Sequence, residues 1–287
     1  MPTSRRNGSH MSYSAVPTND SKSSAGGCPV CTQQMVERFT ALCLGKYRAI
    51  YDQCPHCQLL QVRAPHWLNE AYQRAICLAD TGILNRNLML ADRLAALLPR
   101  LGSSGPYLDY GGGIGVLVRL MRDRGFDFRW SDLHARNELA RGFEYDVAAG
   151  PCSAVTAFEV LEHVERPCEF VEEALAAGQS DSLIFTTVLH NGEPPAPDWW
   201  YYAREEGQHI SFFSRRSLEE VGSRLGLRFL SNGWLHMFTR RELSEAAFFG
   251  AISRSARLIA RLRPRNSLVE QDHLAMLDRI RTLRLGA

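Results

Sequence analysis

The central part of the chain alternates between two kinds of apolar pattern. Short apolar runs at 126–130, 154–158 and 182–188 are typical of strands buried in a sheet. Between them, segments 116–121 and 168–177 carry apolar residues three and four positions apart, which indicates helices. Because strands that alternate with helices pair in parallel, the pattern predicts an α/β fold with a Rossmann-like sheet.

The carboxyl end of this region breaks the alternation. Two apolar segments, 227–230 and 234–238, flank a short polar stretch that contains Asn232-Gly233. This pair of residues favours a tight two-residue hairpin turn. Together with shorter strands predicted at 107–108 and 143–146, the hairpin completes a seven-stranded sheet that ends in an antiparallel pair.

The flanking regions have other patterns. Residues 47–51 and 59–62 have the pattern of short strands. Helical spacing occurs at 67–79 and 86–98, and again at 248–262 and 268–285. The helices before the sheet are expected to cover the mouth of a ligand site. The predicted organisation is a disordered leader or tag remnant at 1–26, a small ribbon domain at 27–65, a helical cap at 66–105, the sheet domain at 106–240 and a helical extension at 241–287.

Composition and charge narrow the class of protein. The 287 residues carry a formal net charge of +2 and are 45% hydrophobic, which is ordinary for a globular protein without a general preference for nucleic acid. No apolar run reaches the roughly 18 residues of a membrane helix. Residues 1–22 lack the apolar centre of a secretory signal, and Gly8-Ser-His-Met11 resembles the scar of a cleaved tag. The expected location is the cytoplasm.

Four cysteines form the most specific motif. Cys28-Pro-Val-Cys31 and Cys54-Pro-His-Cys57 give a C-x2-C-x22-C-x2-C pattern. Each C-x2-C turn can direct two thiolates at one point, and four thiolates complete a tetrahedral structural zinc site. Disulfides and a redox dithiol are the alternatives, but a reducing compartment opposes the first and two matching turns oppose the second. We therefore predict a zinc ribbon with Zn2+ at these cysteines, and His56 as a bystander.

A glycine-rich turn follows the first predicted strand of the sheet. Asp109 precedes four glycines between 111 and 115, and a helical pattern begins at Val116. The spacing lacks the last glycine of the dinucleotide fingerprint, and it lacks the lysine of a P-loop. A carboxylate at Asp109 would repel a pyrophosphate and attract an ammonium group. S-Adenosylmethionine carries an ammonium group and no phosphate, so it is the ligand that the turn favours.

A second acidic residue has the spacing of a nucleoside contact. Asp132 lies 21 residues after Gly111, and the strand predicted at 126–130 ends at Ser131-Asp132. In a βαβ unit this distance brings the second strand end beside the first, where a carboxylate can accept both ribose hydroxyls. Leu133 would then flank the adenine, and Asp146 is a candidate for its amino group.

Two motifs together resemble a known family. Leu108-Asp-Tyr-Gly-Gly-Gly-Ile-Gly115 is combined with Phe158-Glu-Val-Leu-Glu-His-Val164 and a following proline. This combination resembles the class I S-adenosylmethionine-dependent methyltransferases, particularly the branch of ubiquinone-type and sugar methyltransferases. The family's fold would explain the antiparallel hairpin, which dinucleotide-binding folds usually lack.

The resemblance implies roles for individual residues. In the family, the first motif holds the methionine part of the cofactor and the acidic residue at the next strand end holds the ribose. His163 is expected to brace the turn. Arg86, at the start of a cap helix, is a candidate for holding the carboxylate of the methionine part, with a solvated surface arginine as the alternative. The cofactor-binding residues that the resemblance implies are Asp109, Gly111, Gly113 and Asp132, with Phe158 and Glu159 lining the cleft.

Aromatic residues follow the strand predicted at 182–188. Four aromatic residues lie beyond its carboxyl end, which is the ligand side of an open parallel sheet: Trp199, Trp200, Tyr201 and Tyr202. They are predicted to form a lid over the substrate, and core packing is the alternative.

The next segment supplies a candidate base. Gly207-Gln-His-Ile-Ser-Phe-Phe resembles the segment that lies over the acceptor in this methyltransferase branch. By this resemblance His209 is the general base, and Gln208 beside it is a substrate residue. Glu205, Glu206 and Tyr202 are the candidate partners that would orient the imidazole.

The combination of domains favours a substrate class. An N-terminal four-cysteine domain joined to this catalytic domain resembles sugar-modifying enzymes, which implies methyl transfer to a sugar, a nucleotide sugar or a natural-product intermediate. An RNA base methyltransferase is one alternative, although residues 28–65 carry few basic residues. A non-enzymatic zinc-ribbon interaction module is another, which the intact Asp109 and Asp132 oppose. The arginines of the C-terminal helices indicate a solvated face, with a phosphate-bearing substrate, an oligomer contact or an anionic membrane surface as alternatives.

Overall fold

A computed structural model of the protein describes residues 26–73, 76–102 and 105–285. Almost all of the predicted leader lies outside the described residues. Two residues of the predicted helix 67–79 and two residues of the linker before the sheet also lie outside them. None of the helices in the described ranges combines the length and the apolar character that a membrane-spanning segment needs.

A six-stranded sheet forms the centre of the molecule, with the spatial order β10-β11-β7-β6-β4-β5. The pairs β5–β4, β4–β6 and β6–β7 are parallel, whereas β7–β11 and β11–β10 are antiparallel. This confirms the mostly parallel α/β sheet with a terminal hairpin. The strands are β4 (Tyr107–Tyr110), β5 (Phe128–Ser131), β6 (Ala154–Phe158), β7 (Ser182–Thr186), β10 (Arg228–Ser231) and β11 (Leu235–Thr239).

The predicted strand at 143–146 is reduced to a single bridge. Glu144 forms an isolated parallel bridge with Trp130 at the outer edge of β5. The Trp130 N–H donates to Phe143 O at 2.9 Å, and the Tyr145 N–H donates to Trp130 O at 2.8 Å. The segment cannot extend because Asp146 instead accepts the Ala148 N–H at 2.9 Å and starts a 3₁₀ turn. The seventh position of the sheet is thus occupied, but not by a regular strand.

Helices cover both faces of the central sheet and extend beyond it. Their apolar faces enter clusters that include Leu94, Val118, Val171 and Leu218. The helices of this region are α2 (Ile83–Leu97), α3 (Val116–Asp123), α4 (Pro167–Ala177) and α5 (Arg215–Arg224), followed by α6 (Glu245–Ile252), α7 (Arg254–Leu262) and α8 (Val269–Leu285).

Two helix predictions are wrong in detail. The segment 67–79 is helical only at α1 (Leu68–Ala71), and turns occupy the described remainder. The segment 248–262 is divided between α6 and α7, because Ser253 has extended backbone angles (φ −62°, ψ 163°). The Ser253 hydroxyl accepts the Ala256 N–H at 3.2 Å, so this residue ends one helix and caps the next.

A second, five-stranded sheet has the order β1-β2-β3-β9-β8. Strands β1 and β2 lie between the two C-x2-C turns in the chain, β3 follows the second turn, and β1 was not predicted. Strand β3 pairs antiparallel with β9, and Leu60 lies opposite Phe212. The sheet of the ribbon therefore includes a strand from the segment that follows β7. The predicted domain boundary at 65 stays a prediction, and backbone hydrogen bonds run across it. The strands are β1 (Val36–Cys43), β2 (Tyr47–Gln53), β3 (Leu60–Val62), β8 (Leu189–His190) and β9 (Ser211–Ser214).

Helix α8 is attached to the sheet domain by a buried ion pair. The Arg122 guanidinium donates from Nε to Asp272 Oδ2 at 2.8 Å and from Nη2 to Asp272 Oδ1 at 2.6 Å. The Phe143 ring lies 4.0 Å from the Arg122 guanidinium carbon. Both charged side chains are almost fully buried, so the predicted C-terminal extension packs against the sheet domain through α3.

Candidate active site

The glycine turn between β4 and α3 is held against the end of β5. The N–H groups of Gly111 and Gly112 donate to Ser131 O at 2.8 and 3.1 Å. Gly111 has φ +82°, and a Cβ at this position would lie 2.8 Å from Val160 Cγ2. Only glycine fits such a site, because the backbone is left-handed and the space is filled by the turn after β6. The turn and the 158–164 motif are therefore in direct contact.

Asp109 lies below this turn at the end of β4. Its side chain is buried, and Oδ1 accepts the Thr156 hydroxyl at 2.7 Å. Burial raises the pKa of Asp109 to about 7, the Thr156 hydrogen bond opposes the shift, and the charge of Asp132 adds to it. A cationic ligand would favour the ionised carboxylate. Thr156, on the neighbouring strand β6, is a partner that sequence reasoning missed.

Asp132 lies on the other side of the turn, as its spacing predicts. Oδ2 accepts the Gly113 N–H at 2.8 Å, and Oδ1 accepts the N–H groups of His134 and Ala135 at 2.7 Å each. The carboxylate thus binds the glycine turn to the loop after β5. Leu133 is exposed beside it, with 60% of its surface accessible. The ribose and adenine roles of these residues stay predictions.

Glu159 occupies a strained position at the carboxyl end of β6, next to Phe158, which is partly buried. Its φ is +55°, a left-handed value that is unusual for a residue with a side chain. The Thr186 hydroxyl donates to Glu159 Oε1 at 2.6 Å, and Arg86 Nε lies 3.8 Å from Oε2. Arg86 itself donates both terminal nitrogens to Asp80, at 3.0 and 2.7 Å. The Arg86 guanidinium is therefore already paired with Asp80 and lies near Glu159. Its predicted role, holding the carboxylate of the cofactor's methionine part, stays a prediction.

Three ionisable side chains meet beyond Glu159. Glu162, His163 and His209 place one ligand atom each within 4.8 Å of one another, and we call them the Glu-His-His cluster. His163 Nδ1 lies 3.1 Å from Gln208 O, and His209 Nδ1 lies 2.7 Å from Tyr201 O. Because a carbonyl oxygen only accepts, each Nδ1 carries the hydrogen and each Nε2 carries a lone pair.

The carboxylate of this cluster is poorly satisfied. Glu162 is fully buried, and neither of its oxygens has a donor in hydrogen-bonding geometry. Burial and the charge of Glu159 raise the pKa of Glu162 to about 8, although the hydroxyls of Tyr201 and Thr187 act in the opposite direction. Burial and the neighbouring His209 lower the pKa of His163 to about 3, and burial also lowers the pKa of His209. Both imidazoles are therefore neutral near pH 7.

Backbone pairing between the two sheets assembles the cluster. Glu162 and His163 lie in a short 3₁₀ turn after β6, while His209 precedes β9. The Ile210 N–H donates to Glu162 O at 2.8 Å, and the Val62 N–H of β3 donates to Ile210 O at 2.8 Å. The segment that carries His209 is thus fixed from both sides, by the turn and by strand β3.

The sequence of this region matches a known family. The family described as "Methyltransferase domain" matches residues 84–232, which is more than half of the 287-residue chain. The chain belongs to this methyltransferase family. The match confirms the resemblance stated above, and the protein is an S-adenosylmethionine-dependent methyltransferase. No curated protein sequence matches the chain.

Several solved methyltransferase structures are similar to this one. Magnesium protoporphyrin IX methyltransferase from Synechocystis PCC 6803 with bound SAH is 15% identical, with a TM-score of 0.40 over 60% of this chain and 91% of that chain. An O-methyltransferase family protein from Burkholderia thailandensis is 14% identical, with a TM-score of 0.43 over 62% and 68% of the two chains. The small RNA methyltransferase HEN1 is 17% identical, with a TM-score of 0.38 over 60% and 27%. The family assignment itself rests on the sequence match.

The aromatic residues of the methyltransferase's predicted lid have different environments. Trp200 is 74% exposed, whereas Tyr202 is buried and donates to Pro195 O at 2.9 Å. Tyr202 and the partly buried Trp199 pack in the core beneath the second sheet, with Phe212. Tyr202 therefore packs in the core, which was the alternative to a lid. The substrate roles of Trp199, Trp200 and Tyr202 remain predictions.

Tyr201 was predicted only as one of the four aromatic residues of the lid, and in the structure it lies against His209. Its ring centroid lies 4.7 Å from that of His209, and its hydroxyl accepts the Val188 N–H at 3.1 Å. Its carbonyl, not a side chain of Glu205, Glu206 or Tyr202, orients the imidazole of His209. Periodicity gave no signal for this residue because its function depends on a backbone oxygen.

The predicted cap segment lies against the site. The Tyr72 ring stacks on His134 at 4.9 Å, and it lies 6.1 Å from the ring of His163. The Gln208 amide donates to Ala71 O at 2.8 Å. Gln208 therefore connects the cap to the Glu-His-His cluster through its own backbone oxygen, and its predicted substrate contact stays a prediction.

The four cysteines of the methyltransferase are close together and buried. The Sγ atoms of Cys28 and Cys57 lie 3.5 Å apart, and those of Cys31 and Cys54 lie 3.3 Å apart. All four ligand atoms fall within 4.8 Å of one another. A tetrahedral zinc site with Zn–S bonds of ~2.3 Å needs sulfurs ~3.8 Å apart, so the arrangement fits the ion. His56 is exposed on the outer turn, as expected of a bystander.

Proposed function

We propose that this methyltransferase methylates a hydroxyl group of a small molecule, in the class of sugars, nucleotide sugars and natural-product intermediates. The observation that carries the proposal is the position of His209, whose neutral Nε2 is aimed into the Glu-His-His cluster beside the strand ends that bear Asp109 and Glu159. Oxygen acceptors need to lose a proton during methyl transfer, and a neutral imidazole can accept it.

The bound cofactor would supply a methyl group on a sulfonium. Asp109 would hold its ammonium group, and Asp132 would hold its ribose after exchanging one backbone N–H for a hydroxyl donor. The chain's other task is alignment, because in-line transfer requires the acceptor oxygen within roughly 3 to 3.5 Å of the methyl carbon. Tyr72 and the segment 199–209 would cover this space and exclude water from it.

We further propose that the four cysteines hold a structural Zn2+. Four thiolates leave no open coordination position, so the ion would stabilise the ribbon without taking part in the reaction. The cluster packs in the same apolar core as Val155 and Leu218 of the sheet domain.

A His209→Ala variant tests the proposed base. We expect kcat to fall about 100-fold or more, because proton removal is lost, and the Kd for the cofactor to stay within about twofold. Turnover is measured with labelled cofactor, and the Kd by calorimetry. His273→Ala, in an exposed histidine of α8, is the matched control. An equal loss of turnover and cofactor affinity would reject the assignment.

Labelled methyl transfer to defined pools tests the substrate class. The protein is incubated with labelled cofactor and either a nucleotide-sugar pool or an RNA pool. Label in the first pool supports the proposal. Label only in RNA replaces it with the RNA base methyltransferase alternative.

A further inference from the structure

We propose that a cavity on the surface of α7, beside α2, is a phosphate-binding site in which Arg254 and Arg257 hold the phosphate or diphosphate group of a ligand. The positive charge of Arg93 on α2 would support them. None of these residues takes part in the chemistry proposed above. The further step, that the phosphate belongs to the acceptor, as in a nucleotide sugar, rests on the proposed function.

Three arginines of α7 line one cavity. Arg254, Arg257 and Arg261 lie three and four residues apart and therefore share one face of the helix. Together with Leu258 they line a cavity of about 200 Å³. Like charges at this spacing repel one another, and an anion between them would remove the repulsion.

The protein does not neutralise the positive charge around this cavity. Asp92 of α2 forms an ion pair with Arg261, but it is shared with Arg124, whose Nη2 lies 3.3 Å from Asp92 Oδ1. In the described ranges, no ion pair involves the other two arginines of the cavity or Arg93 of α2. Three guanidinium groups of this part of the structure are therefore left for an external anion.

Arg257 has a buried donor that needs an acceptor. Its Nε is shielded from water, and no acceptor among the described residues lies in hydrogen-bonding geometry with it. A buried N–H group without a partner costs free energy. Because a phosphate group can accept from Nε and from a terminal nitrogen of one guanidinium, it would satisfy this donor in a bidentate pair.

Arg93 adds a further positive charge close to Arg257. Burial lowers the pKa of Arg93, and the charge of Arg257 lowers it further. The guanidinium carbon of Arg93 lies 4.4 Å from the centroid of the Trp234 ring, and its Nη1 donates to Met89 O at 3.1 Å. These contacts fix the guanidinium without neutralising it, so its charge would attract an anion in the cavity.

The position of Arg93 connects the cavity with the cofactor cleft. Trp234 directly precedes β11, and β11 begins opposite Thr186, at the carboxyl end of β7. The Thr186 hydroxyl donates to Glu159 at this same edge of the sheet. Arg86 and Arg93 are seven residues apart on one face of α2, which corresponds to about 10 Å along the helix axis. An extended acceptor with its phosphate group in the cavity would therefore point along α2 toward the mouth of the cleft.

A phosphate group can belong to a soluble ligand or to a lipid headgroup. Leu258 and Leu262 are 57% and 73% exposed beside the arginines. A helix with exposed apolar and basic residues can also lie on an anionic bilayer. Both sources offer the same chemistry to the arginines, so the experiment must separate them.

Calorimetric titration of the whole protein with UDP tests the site, and uridine, which lacks the phosphates, is the matched ligand. We expect UDP to bind about tenfold or more tightly than uridine, and Arg254→Gln and Arg257→Gln each to weaken UDP binding about tenfold, because each removes a charge-assisted contact. Arg263→Gln is the matched control. It removes the same charge from an exposed arginine of the same region that does not line the cavity, and it should bind UDP within about twofold of the original protein.

Co-sedimentation with vesicles separates the two sources of phosphate. Vesicles of phosphatidylglycerol carry an anionic headgroup, and vesicles of phosphatidylcholine have no net charge. Binding to the anionic vesicles that is lost in Arg257→Gln, without binding of UDP, would assign the site to a lipid headgroup and overturn its assignment to the acceptor.

The remaining outcomes decide the site itself. UDP binding that is weakened in Arg254→Gln and Arg257→Gln but not in Arg263→Gln establishes it. Absence of binding to UDP and to anionic vesicles, or equal weakening in Arg263→Gln, overturns it. The titration needs neither cofactor nor turnover, so the phosphate site can be established even if no hydroxyl acceptor is methylated. Conversely, methyl transfer to a sugar without UDP binding leaves the proposed function intact.

Discussion

The two ligand clusters of this molecule, the four cysteines and the Glu-His-His cluster, differ in how the chain builds them. The cysteines come from two C-x2-C turns, each of which donates backbone N–H groups to its own sulfur, as from Val30 to Cys28 Sγ at 3.4 Å. The Glu-His-His cluster joins a turn after β6 to the loop before β9, and its carboxylate has no such donor. The cysteine cluster is closed, because four thiolates fill a tetrahedral site, and local sequence spacing sets its ligands. The Glu-His-His cluster is open, because its carboxylate lacks a donor, and pairing between distant segments brings its residues together.

The two clusters therefore contribute differently to folding and function. A closed four-thiolate site has nothing left to bind except its ion, so its effect is on folding. A cluster with an unsatisfied buried carboxylate costs folding free energy, and such groups persist where they serve a site. We expect mutations in the two clusters to change stability in opposite directions.

The largest effect is expected from the closed cluster. Cys54→Ser removes one of four thiolates, and the free energy of unfolding should fall by about 3 kcal/mol or more because zinc binding is coupled to folding. Zinc content by mass spectrometry and urea unfolding measure both quantities.

The control for this prediction is Cys77→Ser, since Cys77 lies outside the cluster. Comparable zinc content and stability in Cys54→Ser and the original protein would contradict a structural zinc site.

A smaller effect of opposite sign is expected from the open cluster. Glu162→Gln should raise the free energy of unfolding by about 1 kcal/mol, because the amide can donate to an imidazole nitrogen and bears no charge, whereas burial raises the pKa of Glu162 to about 8. Urea unfolding of the two proteins measures the difference. A clear loss of stability in Glu162→Gln would mean that the carboxylate stabilises the fold. The two clusters would then affect stability in the same direction.

The smallest effect is expected at His56, which lies inside the second cysteine turn but is exposed. His56→Ala should leave zinc content unchanged and shift the free energy of unfolding by less than about 0.5 kcal/mol. Loss of zinc in this variant would show that histidine participates in the closed cluster.

The same contrast explains what the sequence could predict. The strand at 154–158 was predicted with its observed bounds, because a continuous apolar run reports directly on burial. The cysteine cluster was predicted because its ligands are set by local spacing. His209 was located only through a family resemblance, and its neighbours Glu162 and His163 were not connected to it. Nothing in the order of residues shows that β3 and β9 pair and bring His209 to the turn after β6.

Two other misses have local causes. Helical spacing at 67–79 was realised only in Leu68–Ala71, and Tyr72, the residue that follows the helix, stacks on His134. The strand predicted at 143–146 lost its regular pairing because Asp146 caps a turn with its own side chain. In both cases a single tertiary or capping contact outweighed the propensity of a short segment.

The pairing of β3 with β9 determines which segments of the chain must be transferred together in a chimera. Strands β8 and β9 lie outside the central sheet, and the ribbon supplies their hydrogen-bonding edge, with the Gln53 amide also donating to Gly192 O at 2.7 Å. The ribbon and the segment 189–214 must therefore be transferred together, although about 130 residues of chain separate them. A chimera that moves the ribbon onto another methyltransferase without that segment would expose the unpaired edge of β3, and it would leave β9 behind without its β3 partner.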